Sequence, residues 1–201
     1  LRLGVVTDTQ DASGAVLERR DASTVTEADV RAALPRFTGT ISQIPPMYSA
    51  LKVNGQKLCD LARKGVEVER KPRPITIFEL ECVEFSGDTA RLRVRCSKGT
   101  YIRTLCKDLG LALGCGGCME ALRRVTAGAY SIGEAVPLET LLETAEPEAY
   151  LRPVDSMFQN FRALTLTEKQ EQRCRNGNSF SLKIPDGTYR TYNKSGEFLA
   201  L

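Results

Sequence analysis

The chain has 201 residues, 42% of them hydrophobic, enough for the buried core of one large domain and a small one. Its net charge of +3 is too small to mark a nucleic-acid binder by itself. The absence of histidine excludes a Ser-His-Asp triad and leaves acid, base or nucleophilic work to carboxylates, tyrosine, lysine or cysteine. The longest apolar stretches, around Val5 and from Leu109 to Gly114, fall far short of the roughly 20 residues a membrane-spanning helix needs. Seven cysteines, an odd number at irregular spacings, fit a reducing cytoplasm better than a disulfide framework. Cys115-Gly-Gly-Cys118 has the spacing of half a zinc site, but no second pair exists to close the shell, so no metal is expected. The chain begins at Leu1 in what reads as a strand already under way, without a signal-peptide pattern, and it reads as a fragment.

In chain order, Leu1 to Thr7 and Ala15 to Glu18 read as a hairpin whose tip, Asp8 to Gly14, is rich in turn formers. Thr26 and Asp29 offer a capping box for a helix through Val30, Ala33 and Leu34 that Pro35 should end. Gly39 to Asn54, with Pro45-Pro46, reads as an exposed extended loop, and Gln56 to Lys64 as a helix closed by Gly65. Ile75 to Phe85 and Thr89 to Cys96 read as strands in which Leu92, Val94 and Cys96 alternate with Arg91, Arg93 and Arg95, the arginines on a solvated face with no further role. A helix from Thr100 to Leu113, a glycine-rich turn, a second helix through Met119, Leu122 and Arg123, a strand from Val125 to Ile132 and a short helix from Leu138 to Leu142 follow. Pro147 and Pro153 place a domain boundary near residue 150. Beyond it a helix from Thr167 to Arg175 and strands at Phe180 to Ile184, Thr188 to Tyr192 and Phe198 to Leu201 make a small β-rich module. It also holds the charge excess: residues 1 to 151 carry 20 basic and 20 acidic residues, residues 152 to 201 carry 8 and 5.

Three segments could carry chemistry. Asp8 and Asp11, at the hairpin tip, are either paired carboxylates or turn residues bonding their own backbone. In Cys96-Ser-Lys-Gly-Thr-Tyr-Ile-Arg103 a strand gives way to a helix that Thr100 can cap and that presents Tyr101 and Arg103 near its start. An arginine at the positive end of a helix dipole calls for an anion nearby, a carboxylate or a phosphate, although a structural ion pair would satisfy it equally. Between Gln56 and Arg73 six basic residues face three acidic ones, beside Pro45-Pro46-Met47-Tyr48-Ser49-Ala50-Leu51-Lys52. Such a stretch suits RNA, with stacking faces and phosphate contacts, or is an ordinary solvated face.

These segments, in this order, resemble the TruB family of pseudouridine synthases. The matching residues are Leu3 to Gly14, Phe37 to Lys52, Leu61-Ala-Arg-Lys-Gly65, Cys96 to Arg103 and Leu122-Arg-Arg124, and they span the chain from Leu1 to about Gly128. The resemblance implies an α+β fold: a pseudouridine-synthase-like mixed, mostly antiparallel sheet with flanking helices over residues 1–150, and a partial PUA-like RNA-binding module over 151–201. It implies isomerisation of uridine 55 in the tRNA T-loop, without cofactor or metal, on a flipped-out nucleotide. The partner would be the tRNA T-stem-loop, clamped by a thumb at residues 40–70 through Pro46, Met47, Tyr48, Lys52, Lys57, Arg63 and Lys64; no obligate protein partner and no membrane are implied. Tyr101 would line the uracil pocket, Leu122 would close it, Arg103 would pair with the nucleophilic aspartate, and Asp11 would support the site. The Gly-x-Leu-Asp-Pro motif that carries that aspartate, and an active-site tyrosine, are absent from this sequence, so the chain as given is expected to be inactive. Cys59 stands where the family commonly has tyrosine, and lost strands would leave a sheet edge exposed. The rival readings are a non-catalytic RNA-binding or tRNA-folding protein and a hydrolase using Asp8 and Asp11.

Overall fold

The computed structural model describes Leu1 to Leu201. The backbone divides into two compact units, Leu1–Arg123 and Arg124–Leu201. The stretch read as a linker forms two 3₁₀ turns, Pro147–Tyr150 and Val154–Phe158, inside the second unit, so the division falls earlier than residue 150.

The first unit opens with β1 (Arg2–Leu3), β2 (Val5–Thr7) and β3 (Val16–Arg19), and β2 and β3 form the expected hairpin, Val5 opposite Arg19. Helix α1 (Glu27–Ala33) begins at the predicted capping box, in which Thr26 and Asp29 bond each other's backbone N–H groups. The stretch read as loop from Gly39 is in fact strand at its start: β4 (Gly39–Gln43) pairs antiparallel, Gly39 opposite Ile77 and Gln43 opposite Arg73. A short hairpin of β5 (Lys52–Val53) and β6 (Gln56–Lys57) turns on Asn54 and Gly55, at φ of 50° and 81°, the left-handed pair that a two-residue loop requires. Helix α2 (Leu58–Arg63) ends in a Schellman motif, with the Gly65 N–H bonded to the Ala62 carbonyl and the Val66 N–H to that of Leu61.

Strands β7 (Arg73–Ser86) and β8 (Thr89–Cys96) are the long central pair. Strict alternation would put Ile75, Ile77, Glu79 and Glu81 on one face of β7. Register shifts after Ile77 and after Cys82 reset the alternation, so Ile75, Ile77 and Cys82 are buried while Glu79, Glu81 and Glu84 stay outside. Those three glutamates lie opposite Arg95, Arg93 and Arg91 and pair with them at 2.7, 2.5 and 3.0 Å. The arginines of β8 are therefore solvated and neutralised in place.

Helix α3 (Ile102–Ala112) packs Leu105, Cys106 and Leu109 into the core with Val30 and Ala33 of α1 and Leu3, Ile75, Ile77, Cys82 and Ala90 of the sheet. A second helix through Met119 does not form. The chain instead turns back through Gly114–Gly116, and β9 (Gly117–Cys118) pairs with β1, Leu3 opposite Gly117. Competition from the unpaired edge of β1 explains the miss, since β9 completes a five-stranded antiparallel sheet in the order β4-β7-β8-β1-β9.

The second unit holds the hairpin of β10 (Thr126–Ala127) and β11 (Tyr130–Ser131), helix α4 (Leu138–Glu143), and a three-stranded sheet in which β12 (Arg162–Thr165) runs parallel to β13 (Tyr189–Tyr192) and β14 (Phe198–Ala200) antiparallel to it. Helix α5 (Glu168–Arg175) starts at a Thr167–Gln170 capping box. Strand β12 was not expected, because four residues with one half-buried leucine carry too little period to read. Phe180 to Ile184 alternates half-buried and exposed side chains as a strand would, yet joins no ladder. No helix is long and apolar enough to cross a membrane.

Helix α3 and β9 meet backbone to backbone at Gly110. A Cβ on Gly110 would lie 2.3 Å from the backbone of Gly116 and Gly117, and the Gly116 N–H donates to the Gly110 carbonyl at 2.9 Å. Gly110→Ala is expected to destabilise the protein by ~2–3 kcal/mol or more, seen as a lowered urea midpoint, because only backbone could move to make room.

Candidate functional site

The start of α3 is where the sequence-predicted residues converge. Tyr101 is its N-cap in extended conformation, and Thr100, expected in that role, does not cap: its Oγ1 is buried without a hydrogen-bond partner. The backbone of Tyr101 is met instead by Gln43, at the end of β4. Gln43 Oε1 accepts from the Tyr101 N–H at 2.8 Å, and Nε2 donates to the Tyr101 carbonyl at 3.0 Å. Gln43 is 2% exposed, and nothing in its local sequence singled it out.

Arg103 is half-buried, and its guanidinium donates to two carbonyls, Tyr48 at 2.6 Å and Thr9 at 3.4 Å. The anion expected beside it is not a group of this chain, since no carboxylate lies within ion-pair distance. Thr104 Oγ1 donates to Gln10 Oε1 at 3.0 Å. Gln10 holds φ of 62°, and its carbonyl accepts from the Met119 N–H at 3.0 Å. Consecutive residues of α3 thus tie down the loop from Asp8 to Gly14 and the segment that begins the proline-rich stretch.

The two aspartates of that loop follow the turn reading. Asp8 Oδ1 accepts from the Ala15 N–H at 2.8 Å, and Asp11 Oδ1 accepts from the Ser13 N–H and Oγ at 3.1 and 2.8 Å. These bonds close the turn locally and leave the hydrolase reading without its carboxylate pair. No hydrogen bond or ion pair links Asp11 to Arg103. Asp11 forms a parallel bridge to Met119, and Leu122, three residues on, is 56% exposed.

The proline-rich stretch is less exposed than its sequence suggests. Pro45, Pro46 and Ser49 are buried, so Pro46 packs inside and offers no stacking face, a correction to its expected RNA contact. Met47 and Tyr48 are half-buried, and Lys52, Lys57, Arg63 and Lys64 are exposed. Arg63 pairs with Asp60 at 3.3 Å; Lys52, Lys57 and Lys64 have no ion-pair partner. The hairpin presenting Lys52 and Lys57 was missed, although Asn54-Gly55 is the strongest short hairpin signal a sequence carries. All seven cysteines are free, and burial pushes the Cys106 thiol up to about 11.

Asp108, further along α3, is half-buried, and burial holds its carboxyl above the usual range, with Lys107 drawing it back only in part. Its neutral form is the one the fold favours. The stability that Asp108 contributes is therefore fully present below the unfolded aspartate value of 3.8 and is lost as pH rises through the raised folded value. Asp108→Asn is expected to raise the urea midpoint at neutral pH and to leave it unchanged well below 3.8.

Residues 1–102 match the TruB family pseudouridylate synthase (N terminal domain), and residues 103–159 match the tRNA pseudouridylate synthase B C-terminal domain. The chain is 49% identical to tRNA pseudouridine synthase B of Dechloromonas aromatica (strain RCB) over 185 residues, 90% of this chain and 61% of that protein. It is 46% identical to the Pseudomonas fluorescens (strain Pf0-1) protein of the same name over the whole chain and 68% of that protein, and 41% identical to that of Clostridium perfringens (strain 13 / Type A), covering 71%. The chain thus spans about two thirds of the length of these relatives. A solved Cbf5-Nop10-Gar1 complex contains a similar fold, with a TM-score of 0.63 at 22% identity, covering 87% of this chain and 54% of that one.

Proposed function

Starting from the chain's membership of the TruB family of pseudouridylate synthases, we propose that it is the greater part of an enzyme that isomerises uridine 55 in the T-loop of tRNA to pseudouridine. The reaction breaks the bond from C1′ to N1, turns the base and joins C1′ to C5, and the proton lost from C5 is balanced by one gained at N1. Nothing is oxidised or reduced, and water is not consumed.

The observation that carries this reading is the state of Arg103. A half-buried guanidinium whose only partners are two carbonyls has charge to spare for an anion that this chain does not itself provide. In the proposed enzyme that anion is the carboxylate of the Gly-x-Leu-Asp-Pro segment, supplied from outside this chain, so the chain alone turns nothing over. Tyr101, one turn-start away, lines the uracil pocket, and exposed Leu122 closes over it. Asp11, with its carboxylate engaged by Ser13, supports the loop beneath the site and leaves the chemistry to others. The unpaired Lys52, Lys57 and Lys64, with Arg63, contact phosphates of the T-stem-loop, Met47 and Tyr48 supply stacking faces, and residues 151–201 form the RNA-binding module.

The test is tritium release from C5 of uridine in unmodified tRNA by the product of the full reading frame that encodes this chain. Release at the T-loop uridine is expected, and Arg103→Ala should lower it by at least ~100-fold, since it removes the charge that fixes the reacting carboxylate. Binding of tRNA without release would favour a non-catalytic RNA-binding protein instead. Replacing Lys52, Lys57 and Lys64 together by alanine should flatten the dependence of log affinity on log salt by ~1 for each phosphate that is no longer neutralised.

A further inference from the structure

Gln43 makes an unusual pair of bonds: one side-chain amide holds both the N–H and the carbonyl of a single residue, Tyr101, at 2.8 and 3.0 Å. The Tyr101 carbonyl also accepts the first helical bond of α3, from the Leu105 N–H at 3.1 Å, so both of its lone pairs are used. The amide is 2% exposed, and releasing it would strand polar groups away from water. Its own backbone is anchored in the sheet, where Gln43 lies opposite Arg73. A helix start with no side-chain cap of its own is thereby referenced to a rigid strand 58 residues away in sequence. Tyr101 and Arg103 both project from that start.

We propose that Gln43 is a positioning residue for the reaction, acting through the Tyr101 backbone to hold Tyr101 and Arg103 in register with the reacting base. This rests on the pseudouridine synthase reading. The bonds, not the volume of the side chain, carry the effect. Gln43→Met keeps the volume and removes both bonds, and Gln43→Glu keeps an oxygen that can accept from the Tyr101 N–H but loses the donor.

The experiment uses the full-length protein and combines tritium-release kinetics on tRNA with amide hydrogen exchange at Tyr101 and, as an internal reference, Leu109. In Gln43→Met the Tyr101 amide should exchange at least ~10-fold faster while Leu109 is unchanged, because only the Tyr101 bonds are removed. The kcat should fall ~10- to 100-fold with KM for tRNA held within ~2-fold, as expected when reacting groups are misplaced and RNA binding is not disturbed. Gln43→Glu should recover part of the kcat. A Gln43→Met enzyme with parental kcat would overturn the proposal, as would a loss in which Leu109 exchange rises equally, which marks general loosening. If the parent itself releases no tritium, the pseudouridine reading has failed; the clamp then stands on selective acceleration at Tyr101 and falls on its absence.

Discussion

The backbone contact between α3 and β9 is the constraint from which the rest of the first unit follows. Because Gly110 presents no side chain, the helix lies directly on Gly116 and Gly117, close enough for a hydrogen bond between them. That approach seats Leu105 and Leu109 among the sheet residues and buries both completely. It also lets β9 complete the sheet beside β1, and from β9 the chain passes straight to Met119, which bonds the loop carrying Asp11. With the body of α3 pinned to the sheet in this way, its first turn can be aimed by a few polar bonds. Gln43, Thr9, Gln10 and Tyr48 make them.

Electrostatics divides the basic residues into two kinds. Arg91, Arg93 and Arg95 face glutamates across the β7-β8 ladder, each pair exposed and so contributing about 0–1 kcal/mol. Such pairs neutralise a face and discourage strand pairing across it, but leave little field for a polyanion. Lys52, Lys57 and Lys64 are unpaired on and beside the Asn54-Gly55 hairpin, and Arg103 is unpaired with any carboxylate although half-buried. A net charge of +3 conceals this sorting, because 12 of the 28 basic residues already hold an ion pair with a carboxylate of the chain and 16 do not. Where charge is spare, and not how much there is in sum, distinguishes the faces of the molecule.

Much of the local structure was legible. Thr26 with Asp29 and Thr167 with Gln170 mark helix starts because their reciprocal bonds involve residues three apart. Gly65 closes α2 for a similarly local reason, and the alternation of Leu92, Val94 and Cys96 with arginines could be only a half-buried strand. Three of the errors share a cause. Gly39–Gln43 and Gly117–Cys118 are strands because distant strands offered open edges, and Pro46 is buried because the fold closes over it, none of which a window of neighbouring residues contains.

The sequence by itself determined the family, the α+β architecture, the segment from Cys96 to Arg103 as the place to look, and the helix start at Thr26, since motif identity and short-range hydrogen bonding are local properties. Only the tertiary structure decided that Gln43 holds Tyr101 and that Arg103 rests on the carbonyls of Tyr48 and Thr9. It alone decided, too, that Thr100 leaves its hydroxyl unpartnered. These are contacts across 55 to 94 residues of chain, and their partners are chosen by how the strands and α3 pack, a choice no spacing along the chain encodes.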